Sequence, residues 1–169
     1  MDEELNVSTQ NSTLVWRQHS VSESEAAKTY EEVTYKIIGA AMQVHSALGP
    51  GLKEAIYQRA LSAAMEKAGL SFEEERPFQV TLDETQIGLL YLDHLVEGAV
   101  VVEEKAFTHL LTDEEAAQVI PYLAVMEAPV GLLLNFGCRR LQYKRILPPK
   151  QIAEWQAKTI RYAWRPPDS

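Results

Sequence analysis

The sequence predicts an α/β fold, a mixed β-sheet flanked by α-helices with a helical N-terminal part, and three observations carry that prediction. Apolar residues recur at helical spacing from about residue 23 to residue 68. From Phe72 to Phe107 the period changes to strand-like alternation. An amphipathic segment of about 113–127 then separates that run from the apolar stretch Val130–Phe136, and a crossover helix between strands implies a mixed sheet.

Each element has its own local signal. Ser22 or Ser24 can cap a first helix of about 23–47, whose stripe is Val33, Ile37, Ile38, Ala41, Met42, Val44, His45 and Leu48. Gly49-Pro50-Gly51 ends it and forces a turn. A second helix of roughly 52–68 places Ile56, Ala60, Leu61, Ala64 and Met65 inward, and Gly69 stops it. Phe78, Val80 and Leu82 alternate with polar residues, Asp83–Gln86 form a turn, and Ile87–Leu90 follow. Tyr91–Val96 and Ala99–Lys105 flank the turn signal Glu97-Gly98. Thr112 caps the helix of about 113–127, in which Pro121 removes a backbone hydrogen bond and predicts a bend. Pro129 and Gly137 bound a buried strand, Leu141–Leu147 read as a last strand, and residues 150–163 read as a C-terminal helix.

The chain of 169 residues suits one domain with an ordinary core. Residues 1–20 are polar and without sustained period, so they read as a flexible arm; 21–147 read as the domain, and 148–169 as a basic C-terminal helix and tail. No apolar run reaches the roughly 18 residues of a membrane span, and the acidic N-terminus is unlike a signal peptide. The single cysteine, Cys138, excludes an internal disulfide and any cysteine-cluster metal site; a cytoplasmic location is the expectation. The net charge is −8, with seven acids against two bases in residues 1–32 and eight bases against one acid in residues 139–165. A basic end of that kind suits phosphates, a solvated face or the acidic arm equally well. No Gly-rich phosphate loop and no G-x-S-x-G motif occurs.

Chemistry concentrates in the hairpin. Val101, Glu103 and Lys105 share one strand face, and Val102 and Glu104 share the other. A carboxylate and an ammonium at the end of an apolar strand are costly unless paired or bound, and Asp93 on the preceding strand can lie close by. Two carboxylates and a lysine suit a divalent-cation hydrolytic site; an edge hairpin with solvated charges is the alternative. Glu54 and Tyr57 share a helix face, with Glu54 in a first turn where the helix dipole favours a carboxylate. Gln118 and Tyr122 lie one turn apart. His45 suits a core histidine bonded to nearby backbone, while His94 faces away from Asp93.

Together, Gly51…Glu54…Tyr57 within IIGAAMQVHSALGPGLKEAIY, Asp93, Glu103-x-Lys105, Gln118-xxx-Tyr122, GLLLNFG (131–137) and Lys144-Arg145-Ile146 resemble the GxxExxY family of the PD-(D/E)XK nuclease superfamily. The resemblance runs from about Tyr35 to Leu147. It implies a restriction-endonuclease-like sheet and a site in which Glu54, Asp93 and Glu103 bind Mg²⁺ or Mn²⁺. Lys105 would be the catalytic lysine, and Gln118 and Tyr122 would orient it or a phosphate. Three positions depart from the family pattern: Glu104 where an apolar residue is usual, Glu115 where a histidine is frequent, and Tyr91 where an arginine is common. The function so implied is a metal-dependent nuclease hydrolysing phosphodiester bonds, DNA ahead of RNA, with no membrane partner and compatible with a homodimer. The alternative is a non-catalytic interaction module, dimeric, on the same fold.

Overall fold

The computed structural model describes residues 23–148. The N-terminal arm and the C-terminal helix expected at 150–163 lie outside the described residues. Two helices lead, α1 (Glu23–Leu48) and α2 (Glu54–Lys67), followed by β1 (Phe72–Leu82), β2 (Thr85–Val96) and β3 (Val100–Lys105). Two short helices, α3 (Asp113–Ala117) and α4 (Ile120–Met126), precede β4 (Val130–Asn135) and β5 (Gln142–Ile146).

The five strands form one sheet in chain order, β1-β2-β3-β4-β5. Only the β3–β4 pair is parallel, with Val100 opposite Val130 and Lys105 opposite Asn135. That pairing requires the crossover that α3 and α4 supply. The mixed α/β fold is therefore the restriction-endonuclease-like one that the sequence implies. The turn between β2 and β3 is made by Glu97 and Gly98, both at positive φ (51° and 63°). They are the central residues of a β-turn closed by the Ala99 N–H on the Val96 carbonyl at 3.0 Å, across which Val96 pairs with Val100.

Helices cover both faces of the sheet, giving two cores. On one face Val100, Val102, Leu132, Leu134 and Phe136 pack against Ile37, Ala41, Val44, Tyr57, Leu61 and Met65 of α1 and α2. On the other, Val101, Leu133, Leu92 and Leu95 pack against Leu111, Val119 and Leu123. Burial on both sides explains why β4 is a continuous apolar run rather than an alternating one.

Three expectations are corrected by the structure. The segment 113–127 is two helices rather than one bent helix, because Pro121 falls in the first turn of α4, where its missing N–H is no loss. Ile87–Leu90 and the Asp93 strand are one continuous strand, β2. On α2 the buried line is Tyr57, Leu61 and Met65, whereas Ile56 is 41% exposed. The larger Tyr57 ring fills the interior in its place.

Gly137, just after β4, sits against the loop that follows β3. A Cβ there would meet the Phe107 carbonyl oxygen at 2.3 Å and the Ala106 carbonyl carbon at 2.5 Å, both backbone atoms that cannot swing aside. Gly137→Ala is therefore expected to lower stability by more than about 2 kcal/mol in urea unfolding. A midpoint within error of the wild type would contradict this packing.

Candidate active site

The β2–β3 ladder runs from Val96↔Val100 to His94↔Val102 and then stops. Beyond that point side chains replace the backbone ladder. The Glu104 N–H donates to Asp93 Oδ2 at 2.9 Å, and the Asp93 N–H donates to Glu103 Oε1 at 3.4 Å. Each carboxyl thus satisfies a backbone donor of the other strand, and the two acids are held across the opening. On β1, the pairing passes from Glu74↔His94 to Arg76↔Leu92, and the intervening Glu75 adopts φ 47°.

Glu103 and Lys105 line a pocket of about 200 Å³ whose other walls are Leu90, Leu133, Glu115, Gln118, Val119, Pro121 and Tyr122. Four residues singled out in the sequence, Glu103, Lys105, Gln118 and Tyr122, are therefore brought together. Gln118 is the residue that caps α3, in the joint between the two short helices. Burial raises the Glu103 carboxyl to about 9, and the neighbouring Asp93 adds to the rise while Lys105 opposes it. Burial likewise raises the Tyr122 hydroxyl to about 12, with Glu103 and Asp93 contributing. Acids crowded where water is scarce hold protons that a cation would displace.

Glu54 reaches this group from the first turn of α2, where its Oε1 lies 3.8 Å from Lys105 Nζ. Burial raises its carboxyl, with Lys105 lowering and Asp93 raising it. Its placement depends on Tyr57, which is fully buried and stacked on Phe136 at 4.8 Å. The Tyr57 hydroxyl donates to the Gly49 carbonyl at 2.6 Å and accepts from the Leu52 N–H at 3.1 Å. The tyrosine of the Gly51…Glu54…Tyr57 pattern thus clamps the turn from which α2 starts. It does not face the pocket.

Asp93, Glu103 and Glu54 have the hard oxygen donors that a divalent cation takes. Among the described residues, however, no three His, Cys, Asp or Glu side chains are grouped so as to hold a metal ion. Mg²⁺ is commonly held by one or two protein carboxylates, with waters and substrate phosphates completing the shell. The adjacent pair Asp93 and Glu103 fits that smaller requirement.

Three residues that matter here, Glu115, Asn135 and Glu104, stand in the sequence without an assigned role. Glu115 faces the pocket, fixed by a capping box with Thr112 and by a 2.5 Å bond from His109 Nε2. The T-x-x-E spacing of Thr112 and Glu115 was the available signal. Asn135, fully buried at the end of β4, accepts from the Phe107 and Gly137 N–H groups and donates to the His109 carbonyl. It holds the loop beside the pocket. Glu104 is also fully buried, with Oε1 2.5 Å from Nδ1 of His94. Outside the pocket, His45 bonds the Cys138 carbonyl at 2.9 Å, the backbone role expected of it. The basic residues Lys144 and Arg145 are engaged with Asp113 and with Glu31 and Thr34.

An α/β sheet whose central strands part around an aspartate, a glutamate and a lysine defines the restriction-endonuclease-like class of protein. The model of the PD-(D/E)XK nuclease superfamily matches residues 31–146, and the chain belongs to that superfamily. The solved structure of SSO0001 is similar to it at 16% sequence identity, covering 83% of this chain and 72% of that one with a TM-score of 0.47. No curated protein matches the chain.

Because the fold holds the Glu103 proton more tightly than the unfolded chain does, Glu103 subtracts stability as pH rises from about 4.5 through about 9. Without added divalent cation, Glu103→Gln is expected to melt above the wild type at pH 8.5, with the margin shrinking at pH 5. Thermal melts across that range test it, and a margin independent of pH would contradict it.

Proposed function

We propose that the protein is a metal-dependent nuclease of the GxxExxY type, hydrolysing phosphodiester bonds with Mg²⁺ or Mn²⁺ and acting on DNA in preference to RNA. The observation that carries this reading is the parting of β2 and β3. It sets Asp93 beside Glu103 and leaves Glu103 and Lys105 on a pocket with Gln118 and Tyr122. Superfamily membership supports nuclease chemistry. Asp93 and Glu103 would hold the ion, and Glu54 is the third candidate ligand. A divalent cation there supplies a water of lowered pKa and positive charge for the phosphate oxygens.

The protein's own groups have distinct tasks. Lys105, on the same pocket as Glu103, carries a positive charge to a phosphate oxygen or to the attacking water. Its 3.8 Å separation from Glu54 is a loose, half-buried pair that substrate can replace. Gln118 offers an amide to a phosphate oxygen from the joint between α3 and α4. Tyr122, kept protonated by burial, can donate a hydrogen bond but not act as a base. Leu90, Val119 and Leu133 wall the pocket with apolar surface, which strengthens each of these charge interactions.

One observation favours the alternative reading as a non-catalytic module. With Glu54 paired to Lys105 and no three-ligand group among the described residues, the charges can neutralise one another without an ion. Cleavage of single- and double-stranded DNA in Mn²⁺ separates the two. Asp93→Ala and Lys105→Ala are each expected to lower the rate at least 100-fold, consistent with loss of about 3 kcal/mol of transition-state stabilisation. Equal cleavage by all three proteins would assign the activity to something else, and none from the wild type would leave the module reading standing.

A further inference from the structure

Behind the pocket, on the face of β3 turned toward α2, runs a line of polar side chains that no step above uses. Glu104 and His94 are both essentially inaccessible, at 0% and 1% exposure. His94 Nδ1 approaches Glu104 Oε1 to 2.5 Å, but the contact lacks hydrogen-bond alignment. Among the described residues, no donor is aligned on either Glu104 carboxyl oxygen and no partner on His94 Nδ1. The Glu104 carboxyl, raised by burial, adjoins that of Asp93, which raises it further. From its other nitrogen, Nε2, His94 reaches Ser62 Oγ of α2 at 2.7 Å. Ser62 also donates to the Gln58 carbonyl and contacts the Glu74 carboxyl of β1. The line therefore ties β3, β2, α2 and β1 together through one buried imidazole.

A carboxyl and an imidazole buried without aligned bonds are expensive, and well-packed apolar residues of similar size usually give equal or better stability. Stability is therefore a poor reason for them. Their sequence neighbours supply a better one. Glu104 follows Glu103, His94 follows Asp93, and Ser62 lies two turns along α2 from Glu54. The Glu104 N–H is the very donor that holds Asp93 Oδ2. Close packing of these three side chains, with no space around Glu104 and His94, can fix the spacing of the three acids, each carried on a different element.

We infer that the buried line Glu104–His94–Ser62 is a strut that sets the separation of Asp93, Glu103 and Glu54, so that His94 and Glu104 are positioning residues for divalent-cation capture. The inference rests on the metal-dependent reading above. It also gives Glu104 a purpose that an apolar residue at that position could not serve. Residues that orient metal-binding side chains from behind commonly change metal affinity 10–100-fold when replaced.

The test is Mn²⁺ binding by the full chain, measured calorimetrically at pH 7 without nucleic acid, beside thermal melts. The double variant His94→Phe with Glu104→Met removes both partners and fills the space. It is expected to melt at or above the wild type while binding Mn²⁺ at least 10-fold more weakly. Glu104→Gln, which keeps a polar group of the same shape, is expected to recover most of that loss. A folded double variant binding Mn²⁺ within twofold of the wild type would overturn the strut. If the double variant does not fold, Ser62→Ala decides: about threefold weaker binding supports the strut and unchanged binding overturns it. Wild-type protein that binds no Mn²⁺ would remove the metal-dependent reading itself, and the strut with it.

Discussion

The β-sheet is zipped by backbone hydrogen bonds until His94 and Val102, and there the two central strands change what holds them together. An antiparallel ladder that continued past this point would pair Asp93 with Glu103 by backbone alone, leaving both side chains free to point away. Instead the Asp93 carboxyl takes the Glu104 N–H and the Glu103 carboxyl takes the Asp93 N–H. A buried acid, Glu103, and a half-buried one, Asp93, are thereby fixed at the same gap, which is unfavourable unless protons or a cation compensate. The raised Glu103 and Glu54 carboxyls are the electrostatic expression of that constraint. Everything around the gap can be understood as holding it open at a set width.

The supports come from both sides of the sheet. From the α4 side, Asn135 and the capped helix α3 hold the loop after β3 against the pocket, and Gly137 lets the two backbones approach closely enough for that. From the α2 side, Tyr57 fixes the turn from Gly49 to Leu52, which determines where α2 begins and hence where Glu54 stands. A motif with a glutamate and a tyrosine three residues apart invites the reading that both act on substrate, because they share a helix face. In this chain the division of labour is different. The glutamate reaches the charged group, and the tyrosine is a core residue whose one polar atom is fully occupied.

Much of this was legible in the sequence, and the reasons differ from residue to residue. Strand alternation alone separated Val101, Glu103 and Lys105 from Val102 and Glu104, and the structure keeps that division, with Val101 and Val102 in different cores, Glu103 and Lys105 on the pocket and Glu104 against His94. The Glu97-Gly98 turn was visible because positive φ restricts residue choice so strongly. Thr112 as a cap was visible for a similar local reason. The split of α3 from α4 was not anticipated, because periodicity runs smoothly through Val119 and Ile120, and only the backbone shows that Pro121 opens a helix rather than bending one. Ile56 was misplaced because hydrophobicity ranked it above Tyr57, while shape and the hydroxyl's two partners decided which went inside. Asn135 stood in the sequence only as part of GLLLNFG, since a lone polar residue ending an apolar strand has no spacing from which to read a role.

Glu104 shows most plainly where one-dimensional reading stops. Alternation along its own strand turns it away from Glu103 but does not say what it meets there. The hairpin register supplies that. With His94 opposite Val102, the residue two beyond Val102 lies diagonally across from His94 on the same face, within reach of a long side chain. The pair Asp93-His94 and the pair Glu103-Glu104 are thus the same arrangement seen from the two faces of one sheet. The outer members, Asp93 and Glu103, meet at the opening toward the pocket, and the inner members, His94 and Glu104, meet in the core against α2. A strand carries both by alternation, so any force that fixes the inner pair also fixes the outer one through a single intervening peptide.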